Sequence, residues 1–131
     1  MTDEITSVLI HAFQSEEDSD DIEKAIVSKY KWDEAQAALI EILLDDQYTD
    51  HEYEKVAEIL WDAVLDGRQI HRETIIGLLY YRLGDKNAPY DNNLIWSITS
   101  QAYGLDYANS EFNPFEDSQI IEALKELGIS L

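Results

Sequence analysis

The chain has 131 residues, enough for one modest core, and no cysteine, which excludes disulfides, thiolate catalysis and cysteine-based zinc sites. Hydrophobic residues make up 45% and aromatics 11%, too apolar for a disordered acidic chain, so the charge must sit on a folded body. That charge is large: 28 acids against 9 bases give −19, which disfavours bare nucleic acid and anionic membranes and favours a basic partner.

The charge is also lopsided. Residues 1–62 hold 18 acids and 4 bases, or −14, and residues 63–131 hold 10 acids and 5 bases, or −5. No apolar run approaches the roughly 18 residues that span a bilayer, and Met1-Thr2-Asp3-Glu4 is acidic where a secretory signal is basic, so a cytoplasmic protein is expected.

Helical periodicity starts at once, with Ile5, Val8, Leu9 and Ala12 on one stripe and Thr2 as an N-cap. An acidic break, Gln14 to Ser19, precedes a second stripe of Ile22, Ala25, Ile26 and Tyr30. Trp32, Ala35, Leu39, Ile42 and Leu43 form a third, ending at Asp45-Asp46. Thr49 and Glu52 then make a T-x-x-E capping box. The helix it opens turns Tyr53, Val56, Leu60 and Val64 inward and stops at Gly67. Ile75, Leu78, Leu79 and Arg82 predict a fifth helix ending at Gly84, and the Pro89-containing stretch from Asp85 to Asp91 predicts a loop. Leu94, Ile95, Ile98 and Ala102 predict a sixth helix capped by Asp91, followed by a loop from Gly104 to Asn113 anchored by Tyr107 and Phe112. The last helix is marked by Asn113, Pro114 and Glu116 at its start, Ile120, Ile121, Leu124 and Leu127 inside, and Gly128 at its end. The pattern predicts a single all-α domain, 1–131, of about seven helices in antiparallel hairpins, as a short stack or an irregular bundle.

Chemistry-bearing motifs are weak. His51-Glu52-Tyr53-Glu54-Lys55 begins like H-E-x-x-H, but Lys55 stands where the second zinc ligand belongs. His11, His51 and His71 lack the E-x-x-H spacing of di-iron bundles, and no nucleotide cradle or nucleophile elbow is present. We expect no catalytic residue, no metal and no cofactor. Two acidic clusters remain: Glu16, Glu17, Asp18, Asp20 and Asp21, and the turn Asp45, Asp46, Asp50, Glu52 and Glu54. Most of these acids lie near helix N-termini, which the helix dipole favours. Asp45 and Asp46 lie at a C-terminus, which it disfavours, so the turn is the first candidate for an external charge partner. Trp32, Trp61, Trp96, Tyr80 and Tyr81 read mainly as core or half-buried. Trp61 falls one position off its stripe and is a candidate anchor for a partner.

Lys31-Trp32 through Leu43-Leu44, and then Asp46 through His51-Glu52, resembles small bacterial proteins built of HEAT-like helical hairpins, the immunity proteins of polymorphic or contact-delivered toxins. The shared elements are a Trp opening one helix, an aliphatic end, and an acidic, aromatic turn into the next, over about twenty residues; a second hairpin of that pattern is not evident. The resemblance implies a cytoplasmic, non-enzymatic protein that binds one cognate toxin domain with a basic surface, many such toxins being nucleases. Other acidic binding modules, a nucleic-acid mimic or an assembly subunit, stay open on the residues alone. So does a carboxylate enzyme, which has less support because 28 acids make any pair easy to find.

Overall fold

The computed structural model describes residues 2–45, 47–84, 97–98 and 117–129. Within them lie six helices and no strand: α1 (Thr2–Gln14), α2 (Ser19–Lys29), α3 (Trp32–Leu44), α4 (Asp50–Leu65), α5 (Arg72–Gly84) and α6 (Asp117–Glu126). Of the expected sixth segment only Ser97 and Ile98 are described; both are helical and Ile98 is buried. Trp96, the loops 85–91 and 104–113, and the caps at Asp91 and Asn113 lie outside the described residues, as does Asp46.

Chain ends of the helices follow local chemistry. At α4, Thr49 Oγ1 accepts from the Glu52 amide at 3.4 Å and Glu52 Oε1 accepts from the Thr49 amide at 3.1 Å, completing the capping box. The same helix closes with Gly67 at φ 81°. There the Arg68 amide donates to the Ala63 carbonyl and the Gly67 amide to Val64, the paired bonds of a Schellman motif. Helix α6 repeats the device at Gly128, φ 87°. Helix α1 builds it around Glu16 at φ 56°, without glycine's conformational freedom.

Packing sorts the helices into two rows. Helices α1, α3 and α5 lie side by side, α6 extends that row against α5, and α2 lies beside α4 in the other row; α3 touches α4 across the layers. This is the layering of stacked helical hairpins. One core runs through both rows, led by Ile5, Leu9, Phe13, Leu39, Ile42 and Leu60, with Ile120 and Leu124 from α6.

The observed faces differ from the expected ones in three places. Val8 is exposed, and Phe13 takes the core position at the end of α1. Tyr80 is 39% exposed, not core. On α2, Ala25 is exposed and Glu23 is buried with Ile22 and Ile26. Helical angle does not choose between them, since Ala25 lies about 60° from Ile22 and about 100° from Ile26 and Glu23 the reverse. Helix α2 packs on α4 with its Glu23 side inward, where Arg68 meets the carboxylate. Arg82 is buried, as its place on the apolar stripe of α5 implied.

A buried glutamine ties the layers together. Gln36 Nε2 donates to the Gln69 carbonyl at 3.1 Å, and its Oε1 accepts from the His71 amide and Thr74 Oγ1, each at 2.9 Å. Trp32 Nε1 donates to the same Gln69 carbonyl at 2.8 Å. The Trp that opens α3 is therefore a half-buried clamp on the α4–α5 connection.

Candidate protein-interaction surface

The turn between α3 and α4 spends its acids locally. Asp45 is the half-buried C-cap of α3; its Oδ1 accepts from the Gln47 amide at 3.1 Å and its Oδ2 from Gln47 Nε2 at 2.7 Å. The charge that looked unrewarded at a helix C-terminus thus has two donors of its own. Tyr53 Oη donates to the Asp45 carbonyl and accepts from the Tyr48 amide, and Glu52 is occupied by Thr49. Of the described turn acids, exposed Asp50 and half-buried Glu54 take no part in these turn contacts.

Those two begin a longer feature. Asp50, Glu54, Glu58, Asp62 and Asp66 recur every four residues, so they form one ridge winding along α4. At 1.5 Å per residue the ridge is about 24 Å long. Glu54, Glu58 and Asp62 are half-buried; Asp50 and Asp66 at its ends are exposed. Burial pushes the Glu58 pKa up; Glu54 and Asp62 push the same way, and Lys55, 3.8 Å from Glu58, opposes them.

The first acidic cluster lies against this ridge. Lys55 Nζ donates to the Glu17 carbonyl at 3.2 Å, and Ser19 Oγ donates to Asp62 Oδ2 at 2.7 Å. Glu16, Glu17, Asp18, Asp20 and Asp21 are all exposed there. The first cluster, 38 to 43 residues away in the chain, is thereby brought against the ridge at Lys55 and Asp62 by the packing of α2 on α4.

At the far end of the ridge, Glu23 is 0% exposed and its Oε2 accepts from Arg68 Nε at 2.5 Å. Burial and the facing Asp66 carboxyl push the Glu23 pKa up, against the pull of Arg68.

Sequence reasoning missed Glu58, Asp62 and Asp66, although the i, i+4 spacing from Asp50 was present to be counted. Trp61 is half-buried and packs against the core; the apolar side chains most exposed among the described residues are Leu44 and, at 65%, Leu65. The histidines are at or near the surface: His11 and His51 exposed, His71 half-buried with Nε2 2.5 Å from Asp33 Oδ1. No described helix is long and apolar enough to cross a membrane.

Comparison with known proteins finds no matching family model, no similar curated protein and no similar solved structure.

Proposed function

We propose that this chain is an immunity protein that neutralises a cognate bacterial toxin domain of nuclease type, laying the acidic ridge of α4 and the adjoining α1–α2 turn over the toxin's basic cleft. The observation that carries the reading is the ridge itself. Four successive like-charge pairs at i, i+4 each cost about 0.2–0.5 kcal/mol, so the ridge costs the free protein on the order of 1–2 kcal/mol. A basic partner would turn that cost into attraction. The resemblance of the Trp32-to-Glu52 segment to HEAT-like immunity proteins of contact-delivered toxins supplies the kind of partner.

Charge density argues against general nucleic-acid mimicry. Duplex DNA carries one charge per about 1.7 Å of axis, whereas the ridge carries one per about 6 Å. A surface that sparse suits a dedicated partner that matches its spacing, and steering then acts mainly on association rate.

The test is co-expression with the toxin domain encoded beside this chain's gene. Protection from growth arrest, recovery of a stable complex, and loss of both in Glu54→Gln/Glu58→Gln/Asp62→Asn are the expected results. Absence of protection by the unaltered chain would overturn the reading. Broad competition with DNA for unrelated DNA-binding proteins would replace it with nucleic-acid mimicry.

A further inference from the structure

We propose that Asp20, Glu23 and Asp66 form a binding site for a hard divalent cation of the Ca2+ type, where the start of α2 meets the end of α4. One carboxylate oxygen from each of the three lies within 4.8 Å of the others. A coordination shell with Ca–O distances of about 2.4 Å spans about 4.8 Å, so one ion can touch all three. Asp20 and Glu23 stand one helical turn apart on α2, and Asp66 is the C-cap of α4, so rigid elements hold all three ligands.

The buried member of the cluster is what distinguishes it from an ordinary acidic surface. The Glu23 side chain is fully buried, and Arg68 engages only its Oε2. Its Oε1 receives no hydrogen bond from any donor among the described residues. A buried carboxylate oxygen without a donor carries an uncompensated desolvation cost. The Asp66 carboxyl facing it adds like-charge repulsion, unless a proton or a cation lies between. A cation meets both needs at once, and exposed Asp20 and Asp66 leave room for water to complete its shell.

Two bases compete. Lys24 Nζ sits 3.0 Å from Asp20 Oδ2, but both side chains are exposed, and such a pair is readily exchanged. Arg68 engages Oε2 of Glu23, which leaves Oε1 as the oxygen for the ion, so the arginine can stay. Three carboxylates against these two cations leave a formal −1, which places the affinity at the weak end of calcium sites, with Kd on the order of 10⁻⁴–10⁻³ M.

Calorimetric titration of the full chain with CaCl2, with MgCl2 in parallel, tests the site. One saturable event is expected for Ca2+, weakened at least about tenfold in Asp66→Asn and in Asp20→Asn, whose exposed positions leave folding intact, as circular dichroism would check. The neighbouring Asp21→Asn, which removes the same charge outside the cluster, should keep the event. No saturable heat would overturn the proposal and leave a proton between Glu23 and Asp66. Equal weakening by Asp21→Asn would overturn it in favour of diffuse attraction to the acidic surface.

Discussion

Glu23 shows how one side chain can couple a charged surface to stability. Its neighbours are Asp66 and Arg68 from the end of α4 and Asp20 from its own helix. Its folded pKa is raised above the ordinary 4.5, so the folded state holds its proton more tightly than the unfolded chain does. The penalty is absent below the unfolded value and grows as pH rises from about 4.5 through the folded pKa. Glu58 shifts in the same direction. Denaturant unfolding at a series of pH values should therefore show stability rising as pH falls from neutral towards 5, and Glu23→Gln/Glu58→Gln should flatten that slope; an unchanged slope would exclude these two groups as its source. Asp45 makes the converse case. Because Gln47 donates to both of its oxygens, Asp45→Ala should cost about 1 kcal/mol, with Asp45→Asn intermediate. Thermal melts of the two variants would show it, and a melting point raised by Asp45→Ala would restore the view that its charge only burdens α3.

At the scale of elements, α3 and α5 approach closely at Gly77. A Cβ built there would sit 2.6 Å from Ile40 Cγ2, which no side-chain pair tolerates without a shift. Helix propensity alone favours Gly77→Ala by about 1 kcal/mol. The clash is with a methyl on a stiff β-branched side chain, so we expect net destabilisation of about 1–3 kcal/mol, the usual range for overpacking. Adding Ile40→Ala should recover part of the loss by vacating that space; if the double variant is the sum of the two singles, the helices do not meet there. The ridge on α4 predicts the opposite trade. Glu58→Gln removes two i, i+4 repulsions and relieves a desolvated charge, so it should stabilise the free protein by about 0.5 kcal/mol or more while slowing partner association.

For the whole molecule, the −19 charge acts twice. Self-repulsion lowers the stability of the compact state, and under the proposed function the same field would draw in a basic partner. Raising salt shortens the screening length from about 10 Å at 0.1 M to about 3 Å at 1 M, so the two effects should fade together. Melting temperature should climb with NaCl while the association rate with the partner falls. Affinity that does not change with salt would mean that the acidic first half serves solubility alone.

Helix existence, the Thr49–Glu52 capping box and the stops at Gly67 and Gly128 were all legible in the sequence, because each is written within one or two turns of chain. So was the acidic bias of residues 1–62. The ridge from Asp50 to Asp66 was legible in principle, as a spacing, but its partners were not. Residues 20 and 66 are 46 positions apart, and only the packing of α2 on α4 brings their carboxylates together. That packing also decides that Glu23 and not Ala25 turns inward, since a helix's buried face is set by which neighbours cover it and not by its own apolar residues alone. Gln36 is the same lesson in neutral form: its bonds to Gln69, His71 and Thr74 span 33 to 38 residues. Local signals specify helices, whereas burial and electrostatic company depend on long-range contacts that no short window of sequence contains.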